Sequence, residues 1–88
     1  MNGVLIGKVT HFFGKIGVAV ISLSNKIKVG DTIQIIGNSS NFQQEVTSLQ
    51  IDHLQVESAD AGEEVALKVI RRVSHHDNVF KIDKRGEA

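Results

Sequence analysis

The chain has 88 residues, enough for one small hydrophobic core and too few for two. Ten Lys and Arg balance ten Asp and Glu, so with neutral histidines there is no basic excess of the kind that drives counterion release in dedicated nucleic-acid binders. Cysteine is absent, which removes disulfide and thiol chemistry, and no run approaches the ~18 apolar residues of a membrane helix.

Met1-Asn2-Gly3 carries no positive charge and the apolar stretch Val4 to Ile6 is short, so no signal peptide is expected. Together with the missing cysteines this predicts a soluble, cytoplasmic protein with no membrane contact.

Apolar residues recur with period two along most of the chain, the pattern of half-buried strands. Val4 to Phe13 is the first expected strand and Ile16 to Leu23 the second, joined by a two-residue turn at Gly14-Lys15. That register opposes Phe13 to Ile16 and Val9 to Val20. It turns Val9, His11, Phe13, Ile16, Val18 and Val20 inward, and Lys8, Thr10, Phe12, Ala19 and Ile21 outward. Ser24 to Lys28 reads as a polar loop and Val29-Gly30-Asp31 as a turn.

Thr32 to Gly37 gives a third strand with Ile33 and Ile35 inward, followed by an exposed loop from Gly37 to Asn41. Phe42 to Ile51 is the fourth, with a β-bulge near Thr47-Ser48 where the period slips. Val56 and Ala59 are isolated apolar anchors in a polar stretch. Val65, Leu67 and Val69 mark the fifth strand, Val79 to Ile82 the sixth, and 83–88 a polar tail after a domain spanning 1–82. Nowhere do apolar residues repeat at helical spacing. Six short strands with no helix to cover them predict an all-β fold closed into a barrel.

Three segments resemble a known family. Gly7-Lys8-Val9, then Ile27-Lys28-Val29-Gly30-Asp31-Thr32-Ile33-Gln34-Ile35, then Val56 and Ala59-Asp60-Ala61-Gly62-Glu63-Glu64-Val65-Ala66-Leu67 occur in order. They are similar to the second domain of elongation factor Tu and related translation GTPases, and the likeness extends from about Ile6 to Ile82. The resemblance implies a six-stranded Greek-key β-barrel standing without its nucleotide-binding domain. No Gly-x4-Gly-Lys-Ser/Thr loop is present, and Asn25-Lys26-Ile27-Lys28 lacks the Asp of a guanine-reading motif, so no nucleotide and no cofactor are expected.

No catalytic or metal constellation stands out. His75 and His76 are adjacent and would face opposite ways on an extended segment, while His11 and His53 belong to strands. Glu63-Glu64 lies in a turn and Ser39-Ser40 in a loop with no base beside it. The expectation is a non-enzymatic binding module.

Its candidate contact surface comprises Lys8, Thr10, Phe12 and Lys15 of the first hairpin, Lys26 and Lys28 of the next loop, and Arg71 and Arg72. Cations around an exposed aromatic suit RNA, and in the family the barrel helps hold aminoacyl-tRNA, so RNA or a ribonucleoprotein is one expected partner. A separate GTPase or enzyme, docked as the family's barrel docks in cis, is the other. The plainer alternative is that these cations only keep the strand faces solvated.

Overall fold

Alternating branched residues fit a pleated sheet, where each strand can bury one face and solvate the other. The computed structural model describes residues 3–82. Its strands are β1 (Gly3–Phe13), β2 (Val18–Leu23), β3 (Ile27–Lys28), β4 (Thr32–Ile36), β5 (Asn41–Glu45), β6 (Leu49–Ile51), β7 (Leu54–Val56), β8 (Ser58–Ala59), β9 (Glu64–Lys68) and β10 (Asn78–Ile82). The described residues contain no helix. The fold is all-β. The expected tail at 83–88 lies outside the described residues.

Eight strands form one antiparallel sheet in the order β5-β4-β10-β1-β2-β9-β6-β7, and β3 pairs with β8 through Ile27 and Ala59. Strands β5 and β6 lie near opposite ends of that order, yet only Val46, Thr47 and Ser48 separate them. Four chain steps from Glu45 to Leu49 span at most about 14 Å. Six strand spacings in a flat sheet would set β5 and β6 about 29 Å apart. The sheet must therefore coil until its two ends approach each other. No backbone ladder among the described residues closes it into the expected barrel, and β5 and β7 remain its outermost strands.

The coil encloses a core of Ile6, Ile21, Ile27, Ile33, Ile35 and Val79, all fully buried, with Val9, Leu49, Val65 and Leu67 packed among them. The expected inner pair Ile33 and Ile35 sits where the alternation placed it. Ile27 does not, because its segment forms β3 rather than a polar loop. Val56 and Ala59 likewise belong to strands, β7 and β8, rather than standing as isolated anchors.

The first hairpin departs most from expectation. A four-residue turn, Gly14 to Gly17, replaces the two-residue one, and Phe13 pairs with Val18. The ladder slips between Val9 and His11, so Val9 pairs with Ile21 and His11 with Val20. A bulge inserts one residue and turns every later side chain to the other face. Val9 is thus buried on one side of the slip, and Phe12 packs against the core on the other. Phe13 and Ile16, expected inside, are exposed, while Ala19 and Ile21, expected outside, are fully buried. His11 is also exposed and its ring stacks on Phe13, with centroids 6.1 Å apart.

A second slip lies between Leu5 and Gly7. At Gly7, β1 also approaches β2 so closely that a Cβ would fall 2.5 Å from the Ser22 carbonyl oxygen. The β6–β7 hairpin turns through Asp52 and His53, both with positive φ (50° and 67°), as a type I′ turn requires.

Where β5 ends, a side chain takes over from the backbone. Gln44, nearly buried, donates from Nε2 to the Lys68 carbonyl at 2.8 Å and accepts from the Ile70 N–H at 2.9 Å through Oε1. It thus serves the groups a neighbouring strand would serve and ties β5 to the end of β9.

Removing that amide leaves two backbone groups without partners, at about 1–3 kcal/mol for each buried group. Gln44→Ala is expected to lose about 2–4 kcal/mol in urea unfolding. Gln43→Ala, exposed on the same strand, should stay within about 0.5 kcal/mol of wild type. Equal midpoints for the two variants would contradict the bridging role.

Candidate functional site

The segment from Val69 to Val73 leaves β9 without joining another strand, and its position is fixed by separate anchors. The Val69 N–H donates to the Gly17 carbonyl at 3.0 Å, and the Ile70 N–H donates to Gln44. The Arg72 carbonyl accepts a bond from Ser40 Oγ at 3.4 Å, and the Val73 side chain is buried. With both ends tucked in, Ile70, Arg71 and Arg72 are pushed out to solvent.

Two open grooves flank this ridge and share both arginines. One, of about 290 Å³, is lined by Phe12, Val69, Ile70 and the glycines of the β1–β2 turn. The other, of about 360 Å³, is lined by Ser39, Ser40, Asn41 and Phe42. The described residues contain one ion pair, Lys81 with Asp31 at 3.7 Å, so neither arginine has a carboxylate partner among them.

A third groove, of about 430 Å³, lies over the β1 bulges, with Lys8, Thr10, Ser22, Ser24, His75 and His76 around an apolar floor. The His75 and His76 rings stack with centroids 3.8 Å apart rather than facing opposite ways, because His76 adopts φ 78°. The carboxylate of the buried Asp77 accepts the Ser74 N–H at 2.9 Å and so anchors that loop. No three His, Cys, Asp or Glu groups among the described residues converge as metal ligands would.

The eight sequence-derived candidates are therefore divided. Phe12 meets Arg71 and Arg72, and Lys8 meets Thr10 across the bulges. Thr10 also donates its hydroxyl to the Val20 carbonyl at 3.2 Å, which ties it to the hairpin. Lys15 sits exposed in the hairpin turn, while Lys26 and Lys28 lie in and beside β3 and line none of the three grooves. Phe12 is not the fully outward aromatic expected from the sequence: it is partly buried, packing against the core while part of it lines the groove. Ser39 to Phe42, which wall the second groove beside the arginines, are not among the sequence-derived candidates.

No family model matches the chain. It is 43% identical over 76 residues to an uncharacterized protease of Methanocaldococcus jannaschii, covering 85% of this chain and 19% of that protein. It is 29% identical over 86 residues to a collagenase of Porphyromonas gingivalis, covering 96% of this chain and 21% of the collagenase. The chain thus spans about a fifth of the length of the curated relatives it matches.

Among solved structures, the C-terminal domain of a Geobacillus thermoleovorans protein described as a U32 peptidase superposes with a TM-score of 0.85 at 21% identity. That match covers 90% of this chain and 92% of the domain. The selenomethionine variant of the same domain gives a TM-score of 0.83 at 20% identity.

These findings overturn the likeness to the second domain of elongation factor Tu, and with it the translation-related, RNA-contacting reading. The expectation of a non-enzymatic module is overturned for the same reason, since the relatives are named protease and collagenase. The physical cause lies in what the three motifs encode. Gly30 and Gly62 hold φ 98° and 91°, the Asp31 carboxylate accepts the Lys28 N–H, and the Glu63 carboxylate accepts the Asp60 N–H. Such residues specify turns, and turns recur wherever a coiled sheet needs them.

The corrected register makes its own prediction. Phe12→Ala opens a gap under the hairpin and is expected to cost about 1–3 kcal/mol, less than a fully buried aromatic. Phe13→Ala, on the solvated face, should cost under about 0.5 kcal/mol. Denaturant midpoints that fall in the opposite order would contradict the bulged hairpin.

Proposed function

We propose that this chain is a β domain serving a peptidase of the U32 type, and that its part is to hold polypeptide for that enzyme. The observation carrying the reading is the 43% identity to a protease across 85% of the chain. The fold match to a domain of a protein described as a U32 peptidase supports the same placement. Open surface grooves, rather than a walled cavity, suit an extended chain that must slide and be released. Peptide-bond cleavage is in this reading a property of the whole peptidase.

We also read the coiled sheet as a small barrel whose seam is carried by side-chain bonds instead of a ladder. The short β5–β6 connection and the Gln44 bridge support this. A seam of that kind leaves the segment after β9 unpaired and available at the surface.

The test is an exchange within the Porphyromonas gingivalis collagenase. Deleting its matched 86-residue region is expected to raise KM on denatured collagen about tenfold, a loss of ground-state binding. Replacing that region with this chain should restore KM to within about threefold of the intact enzyme. A folded chimera no better than the deletion, or a deletion with unchanged kinetics, would overturn the proposal.

A further inference from the structure

Resting on that reading, we infer that the Arg71–Arg72 ridge and its two flanking grooves bind an extended acidic polypeptide segment, its carboxylates on the guanidinium groups and an apolar side chain against Phe12 and Ile70. The ridge is built rather than incidental. Bonds from Gln44, Gly17 and Ser40 and the buried Val73 side chain hold a segment that belongs to no strand. Each guanidinium is a rigid fork that matches a carboxylate with paired hydrogen bonds, and carboxylates are what the described residues fail to supply here.

The apolar part of the surface is equally unsatisfied. Ile70 is 69% exposed, and Ile16, in the turn whose glycines wall the Phe12 groove, is 62% exposed. Water-facing isoleucines beside two cations with no carboxylate partner among the described residues form a mixed surface, and a purely ionic ligand would leave half of it uncovered. The other groove presents the exposed Ser39 and Asn41, groups able to bond a main chain crossing the ridge. One ligand chemistry meets all of this: a peptide with Asp or Glu beside a large apolar residue, lying across both grooves. The chain as a whole has no net charge, so the attraction is local to the ridge. Exposed ion pairs are individually weak, which places the affinity in the range of ~10–100 μM.

The experiment measures fluorescence anisotropy of labelled twelve-residue peptides with the full chain at low and physiological salt. One peptide carries Glu and Asp around Leu and Phe, a second has the acids replaced by Lys with the same apolar residues, and a single-stranded polynucleotide is the third probe. The acidic peptide should bind, weakening as salt rises, and the lysine peptide should not. Arg71→Ala with Arg72→Ala should weaken binding at least ~10-fold, Ile70→Ser by ~3–10-fold, and Lys26→Ala with Lys28→Ala should leave it unchanged. Circular dichroism of each variant establishes that it folds.

Equal binding of both peptides, no effect of the arginine pair in a folded variant, or tighter binding of the polynucleotide would each overturn the inference. A failure here together with a successful collagenase chimera would retain the peptidase reading and discard only this ridge as the binding surface.

Discussion

Hydrogen-bonding groups cannot be left idle where a coiled sheet runs out of strand, and in this protein the Gln44 amide answers that constraint. Strand β5 pairs with β4 on one side only. On its other side the Gln44 side chain reaches the Lys68 carbonyl and the Ile70 N–H, groups that would otherwise be stranded as β9 ends. This arrangement differs from a closed ladder in a way that bears on function. A ladder would have drawn residues 69–73 into a strand and paired their backbone along its length. A side-chain bridge at Ile70, with Gly17, Ser40 and the buried Val73 as further anchors, holds the segment without a ladder and leaves the side chains of Ile70, Arg71 and Arg72 exposed.

Much of the architecture was legible in the sequence because period two is a strong signal. Ile33 and Ile35, or Val65 and Leu67, could hardly be placed otherwise than on an inner face. What escaped was what breaks the period. A bulge is one residue out of step, and nothing in Val9-Thr10-His11 announces it. Only the burial of Ala19 and Ile21 opposite, instead of Val18 and Val20, reveals that the parity has changed. The turn at Asp52-His53 escaped for a related reason. Neither residue is the glycine that commonly marks positive φ, although Asp tolerates that conformation better than most. The Gln44 bridge did leave a trace. Phe42, Gln44 and Val46 alternate as inward positions, with a glutamine standing where an apolar residue belongs, and a polar residue in such a place asks for a partner.

The candidate site shows a sharper limit. Lys and Arg positions are visible in a sequence, but their grouping depends on strand order. Arg71 and Arg72 lie far from Phe12 along the chain and meet it because β9 pairs with β2, which pairs with β1. Lys26 and Lys28, close to the first hairpin in sequence, were carried away from it by β3. The motif resemblance failed for a cognate reason, since turn residues describe how a sheet is folded and not what it touches. Likeness across the whole chain distinguished families that shared turns could not.

The central claim, that Gln44 substitutes for a strand at the end of β9, is tested most directly by native-state hydrogen exchange at the Ile70 amide, followed by NMR. Ile70 is exposed in its side chain and lies outside every strand, so its amide has no ladder to protect it. If Gln44 Oε1 holds that N–H, it should exchange on the order of a hundredfold more slowly than the amide of the exposed loop residue Asn38 and close to the rates within β9. Exchange at Ile70 as fast as at Asn38 would contradict the account.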